Sequence, residues 1–507
     1  ELLRTLSDLL GETVFEEVAI AFGTFPQDDV GTHVERFAAL HAVDHAEAML
    51  NTGEAAAQAY LDNPDELSAM GFGCITDPDV NQDCIDGFIE GFGQRVFRRP
   101  LTAEERDAYG ESFAAAPHAR EGFIRLMMRF LSAPELLFHV EVAGELSANV
   151  LRLDAYAVAN RISYLILGTM PPETLFAAAE SGELDTLSGI ETQVRALLED
   201  PRAKEHIGRF FEAWLSVGEI PGVADEEGLL QGLDRGGLRE AMLDELWAFV
   251  DAQLWGQQAD LRTLLTAQRA YATDDRVASI LGVSTWDGTG EPPATGAERA
   301  GLLLRPALLL SDVHSTAPIH RGVFVRRAVL CDDLPSPDSE IVNSRLEELE
   351  QLDPASIASH EQIAALTEVD GCISCHAHIN PLAFALEDFD RLGRHRSVER
   401  VFEGAEVVAE HPLPADIAIE IDENAVVSVS SGAELAMAIA ETEKAHACFV
   451  RRVFETTRTR RATVADQCQM GESFEQLYRG NGSLLDTFVA NVVHQSIFTR
   501  KIEGADQ

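Results

Sequence analysis

Cys372-Ile373-Ser374-Cys375-His376 constrains this 507-residue chain more than any other stretch. Two thiols one helical turn apart, with a histidine directly after the second, form the attachment pattern of a c-type haem. Each thiol adds to one vinyl group of a porphyrin, so the sulfurs must be separated by roughly the distance between vinyls, and a helical turn supplies it. The next residue then projects over the ring, where a neutral imidazole nitrogen can bond iron. The expectation is one covalent haem c, held by Cys372 and Cys375, with His376 as proximal ligand.

Three other chemistries use similar residues. Structural zinc needs four ligands and usually recruits a second CxxC or HxxxH knuckle, and the sequence has none. A redox dithiol expects a βαβ setting, which is missing. A simple disulfide between Cys372 and Cys375 is the remaining alternative.

Net charge is −46, from 39 basic and 85 acidic residues, and only Lys204, Lys444 and Lys501 are lysines. Phosphate contacts need a basic footprint, so nucleic-acid binding is excluded as a main role, and docking on anionic lipid is disfavoured. The 46% apolar content is that of a folded protein. No apolar run is long enough to span a bilayer. Glu1 is not an initiator methionine, so the N-terminus is expected to be processed or truncated.

Five further cysteines remain. Cys74 and Cys84 lie ten residues apart, Cys448 and Cys468 twenty. Two local disulfides at these pairs suit an oxidising compartment, which is also where c-type haem is attached, and each would stabilise by about 2–4 kcal/mol. Cys331 is then left over and reads as a buried thiol.

Hydrophobic spacing is helical almost throughout, and the fold class is mainly α. Ile85, Phe88, Ile89, Phe92, Val96 and Phe97 line one face of a helix over 83–99 that Pro100 stops, and Thr102 with Glu105 forms a capping box for the next. A helical run is expected over 298–311. One stretch, 404–431, alternates like strands and predicts a small β element. The expected organisation is a helical domain over 1–70, a second over 71–145 with Cys74 and Cys84, a third over 146–284, a cytochrome c-like haem domain over 298–403 and a C-terminal domain over 404–507.

The stretch from Gly371 to Arg396 resembles the planctomycete-type cytochrome domain families, secreted bacterial proteins of largely unknown function. Pro381, Phe384, Glu387, Phe389, Asp390, Gly393 and Arg396 match their pattern after CxxCH, while Asn380 stands where Asp is usual and Ala383 where Gly is usual. Phe92 to Glu105 and Leu153 to Leu215 are similar to associated helical domains, Arg321 to Cys331 resembles the start of the cytochrome domain, and Cys448 to Cys468 the C-terminal domain. The resemblance implies export to the periplasm, cell surface or medium and a cytochrome-like role, with no established substrate.

Around the haem, Pro381 is expected to end the haem-bearing turn, and Phe384 and Phe389 to wall the porphyrin. Arg394 and Arg396, with Arg391, suit either the haem propionates or ion pairs with Glu387 and Asp390. His378 is too close to His376 to reach the opposite face of the iron. Of His314, His320, Met437 and Met470, His314 is the preferred sixth ligand. The leading function is an exported monohaem cytochrome passing electrons to an unidentified redox partner protein. The alternatives are a peroxidase-like or oxygenase-like haem oxidoreductase with an open distal face, and a haem-bearing extracellular scaffold or filament subunit. Homo-oligomerisation is left open. No hydrolase triad, P-loop or dinucleotide fingerprint is present.

Overall fold

The computed structural model describes residues 1–22, 43–141, 143–147, 150–313, 316–349, 351–369, 371–422, 425–458 and 460–501. The protein is mainly α-helical, with a few short strands. Two compact units form: Glu1–Phe210 with Glu455–Arg461 and Val489–Gln507, and Phe211–Phe454 with Ala462–Phe488. Among the described residues no helix is long and apolar enough to cross a membrane.

In the first unit, α1 (Gln82–Phe97) buries the six apolar residues that its spacing picks out. The Thr102–Glu105 capping box opens α2 (Ala103–Ala114), and α3 (Ala119–Leu131) completes an aromatic core in which Tyr109 stacks on Phe130 at 4.1 Å. Arg98 ends α1 in a left-handed turn with φ 56°. Its buried guanidinium donates to the carbonyls of Glu135, Leu136 and Phe138, which keeps those groups satisfied away from water. Strands β1 (Ala143–Ser147) and β2 (Val150–Leu153) pair antiparallel, and Thr499–Lys501 pairs with β2. The sequence did not announce this sheet, because its strands are short and one comes from the far end of the chain.

In the second unit, α4 (Leu238–Asp251) carries Glu245, which forms a fully buried ion pair with Arg305 at 2.9 Å. The helical run expected over 298–311 is absent; only the turns Leu302–Leu304 and Pro306–Leu309 are helical. Gly301, at φ 62°, and Pro306 interrupt it. The intervening carbonyls of Gly301 and Leu304 accept from the buried Arg305 and Arg299 guanidiniums. The helices α5 (Pro318–Phe324), α6 (Ser359–Thr367) and α7 (Ile373–Phe384) follow. The expected β element consists of two hairpins and begins earlier, with β3 (Val398–Glu403) on β4 (Glu406–Pro412) and β5 (Ile417–Asp422) on β6 (Ala425–Val429). Helix α8 (Gly432–Ala440) comes next.

Cys74 and Cys84 are bonded. The expected Cys448–Cys468 pair is not formed: Cys448 bonds Cys331, and Cys468 is an exposed free thiol. The reason is tertiary. The segment ending at Cys331 lies against the helix that carries Cys448; Trp214 donates to the Ala328 carbonyl at 2.8 Å and packs edge-on against Phe449. Cys331–Cys448 spans 117 residues. On loop-closure entropy, Cys331→Ser with Cys448→Ser should therefore cost about 4–5 kcal/mol. Cys468→Ser should change stability by less than about 0.5 kcal/mol. Urea unfolding of the two variants checks this, and equal midpoints would refute the assignment.

Candidate cofactor site

Helix α7 differs along its length. From Gly371 to His378, every described residue is exposed or half-exposed, whereas Ile379, Asn380, Leu382 and Ala383 are buried. The buried half is gripped by two helices. Gly322 of α5 comes so close that a Cβ there would lie 2.6 Å from the Ile379 carbonyl oxygen, so only glycine allows the contact. Helix α6 meets α7 through Thr367 against Asn380 and through His360, edge-on to the half-buried Phe384 at 5.8 Å. Pro381 does not end the helix as expected; it lies within α7. Its missing N–H deprives only the carbonyl of Ala377, an exposed residue whose oxygen water can serve.

Cys372, His376, Asn380 and Phe384 recur every four residues and so share one face of the helix. A hydrogen-bond chain runs along it. His376 Nδ1 lies 2.9 Å from Asn380 Oδ1, Asn380 Nδ2 donates to Thr367 Oγ1 at 2.8 Å, and Thr367 donates to the Ile363 carbonyl at 2.6 Å. The order of donors is forced from its far end. A carbonyl only accepts, so the Thr367 hydroxyl donates to it and its oxygen receives the Asn380 amide N–H. That turns the Asn380 oxygen toward His376, whose Nδ1 must then carry the proton. In the neutral ring Nε2 then keeps a free lone pair, the state in which imidazole binds a metal.

The donors fit a haem better than zinc. Cys372 and Cys375 are both free thiols, not a disulfide. Among the described residues no group of three or more His, Cys, Asp or Glu converges as a metal cage would. Thioether attachment needs the opposite: two sulfurs splayed to separate vinyls and one imidazole for the iron. Residues 372, 375 and 376 would hold the group, with the exposed turn leaving room for it.

The motif downstream of Phe384 has a different use. Arg321 is buried and donates to four carbonyls: Leu386 and Phe389, both at 3.0 Å, Leu309 at 2.6 Å and Asp390 at 2.8 Å. Arg396 pairs with the buried Glu387 at 2.9 Å, Arg394 with Asp390 at 3.5 Å, and Arg391 with both oxygens of Glu226 at 2.8 and 3.0 Å. The expected ion pairs with Glu387 and Asp390 thus form for Arg396 and Arg394, while Arg391 pairs with Glu226 instead. Arg394 also donates to the Leu229 carbonyl at 2.7 Å, and Arg396 to the Glu387 carbonyl at 2.8 Å. Phe389 is fully buried between the Arg299 guanidinium, 4.7 Å from its ring, and His395, so it packs a core rather than a porphyrin wall.

His314 lies outside the described residues. His320 is exposed, two positions from the Gly322 that faces α7, and so points away from that helix. His378 faces Glu420 at 3.5 Å, and Met437 is exposed on α8. Sequence reasoning noticed Asn380 only as a departure from a pattern. Its position four residues after His376 was the available signal, because i and i+4 side chains meet on a helix. Thr367 gave no signal, and Arg321 only its place at the head of a family-like segment.

Asp388 accepts from the Gly432 amide at 3.1 Å, and its other oxygen is buried without a hydrogen-bond partner. Burial pushes its pKa from 3.8 up to about 7. A raised carboxyl pKa means that stability is greatest below the unfolded value and falls as pH rises from near 4 through 7. Asp388→Asn should therefore add up to about 4 kcal/mol at pH 8 and little at pH 4. Parallel stability–pH curves for the two proteins would contradict it.

Residues 84–141 match the family described as PSD5, Protein of unknown function (DUF1595), and residues 153–283 match PSD4, Protein of unknown function (DUF1592). Residues 299–399, which contain α7 and the Arg321 cluster, match PSCyt3, Protein of unknown function (DUF1588). No curated protein and no solved structure matches the chain. These three segments are thus domains of the planctomycete-type cytochrome c-like families.

Proposed function

We propose that the chain is an exported c-type monohaem cytochrome that exchanges electrons with a redox partner protein. The observation that carries this reading is the chain from Ile363 through Thr367 and Asn380 to His376, which makes Nδ1 the donor and so reserves Nε2 of the neutral ring for a metal, next in sequence to two free thiols. Haem bound there would supply a one-electron iron couple. The protein's own residues have three tasks. Cys372 and Cys375 tether the group, His376 presents Nε2 to the iron, and Asn380 holds the ring's orientation. The exposed turn from Gly371 to His378 leaves the site accessible at the surface, where a partner can approach. The two disulfides support export, since such bonds persist in oxidising compartments.

That same exposure favours a second reading, a haem oxidoreductase with an open iron. Spectra of the reduced, haem-loaded chain with and without carbon monoxide decide between them. The cytochrome reading expects a spectrum that carbon monoxide leaves unchanged, as it would if a side chain of the protein filled the remaining site on the iron. Rapid carbon monoxide binding would overturn it in favour of the oxidoreductase.

A further inference from the structure

Resting on the haem reading, we propose that Asn380, held by Thr367, is a positioning residue that sets the reduction potential of the site by giving His376 a neutral acceptor. Asn380 is only 3% exposed, and its side chain is engaged at both ends: the oxygen faces His376 Nδ1 at 2.9 Å and the nitrogen donates to Thr367 Oγ1 at 2.8 Å. Thr367 is itself buried and donates to a main-chain carbonyl of its own helix. The amide therefore cannot turn its N–H₂ toward the imidazole without breaking a buried bond, which costs about 1–3 kcal/mol.

The consequence is electronic. A carboxylate at 380 would pull on the Nδ1 proton, make Nε2 more basic and place a negative charge near the iron; both effects stabilise the oxidised metal. An amide does neither. Asn380 thus orients the ring through a neutral hydrogen bond while keeping the iron easier to reduce. It also withholds the electron push that helps a haem cleave an O–O bond, which sides with electron transfer over peroxide chemistry.

A purely structural role, in which the Thr367–Asn380 bond only fastens α6 to α7, makes different predictions. The midpoint potential of the haem-loaded chain is measured for the parent, Asn380→Asp and Thr367→Val. Asn380→Asp should shift the one-electron equilibrium about tenfold or more toward oxidised iron, 59 mV per tenfold. Thr367→Val frees the amide, weakens the bond to His376 and should shift it a smaller amount in the opposite direction. A fastening role would move neither potential at equal haem content, so values within twofold of the parent would overturn the proposal. The second measurement needs no haem. In ¹⁵N-labelled chain carrying Cys372→Ala and Cys375→Ala, His376 should carry its proton on Nδ1, and adding Asn380→Ala should move the population toward Nε2–H. A parent ring protonated on Nε2 would also overturn the proposal. If no haem attaches to the parent chain, the cytochrome reading falls, and the nitrogen spectrum still judges the Asn380 relay.

Discussion

The chain carrying Cys372→Ala and Cys375→Ala is expected to return the mass of a bare polypeptide after maturation in a periplasm, while the parent returns polypeptide plus one haem. The effect is all or none because both anchors are covalent. With the thioethers gone, only one bond from His376 to the iron remains, on a turn whose residues are exposed or half-exposed. The fold should survive the loss. Both thiols are outside the hydrophobic core, and both disulfides lie elsewhere, at Cys74–Cys84 and Cys331–Cys448. Circular dichroism unchanged within error, with no absorbance in the haem region, is the expected pair of results. Cys468→Ser is the control: an exposed free thiol distant in sequence from the motif should leave haem content untouched. A parent chain without haem, or a double variant that keeps it through dialysis in denaturant, would sink the attachment assignment.

Arg321→Ala should destabilise the second unit by about 3–4 kcal/mol. One guanidinium satisfies four carbonyls, those of Leu309, Leu386, Phe389 and Asp390, at a site closed to water. Removing it takes a donor from each: the Leu386 and Asp390 carbonyls keep main-chain donors in Phe389 and Gly393, while those of Leu309 and Phe389 lose the guanidinium. It also removes the positive charge that favours ionised Glu387, whose pKa burial already raises. The cost of burying Arg321 is visible in its own pKa, pushed down to about 10. Arg321→Lys should recover only part of the loss, since a compact ammonium with three donors cannot reach four diverging carbonyls. Urea unfolding measures both variants. A loss below about 1 kcal/mol for Arg321→Ala would show that the 386–390 turn stands without it.

The two predictions divide one motif into two jobs. The resemblance to known families carries Pro381, Phe384, Glu387, Phe389, Asp390, Gly393 and Arg396 as a unit with CxxCH, and sequence similarity cannot say which of these would touch a haem. The structure places Phe384 on the same helix face as His376. Glu387, Asp390 and Arg396 belong instead to a buried charge cluster tied by Arg321 to the turn after α7. A pattern is retained alike for packing and for chemistry, so pattern alone merges them.

Local physics made part of this protein legible from residues alone. The six-residue apolar stripe of α1, the Thr102–Glu105 capping box and the mainly helical class depend on neighbours within a few positions, and spacing along the chain reports them faithfully. The donor set Cys372, Cys375 and His376 is equally local. Tertiary structure decided the rest. It brought Cys331 to Cys448 across 117 residues, joined Thr499–Lys501 to β2, replaced the helix expected over 298–311 with turns around two buried arginines, and set Thr367 under Asn380. Each of these depends on which surfaces meet when apolar faces are buried together, a quantity that no spacing of residues along one segment contains.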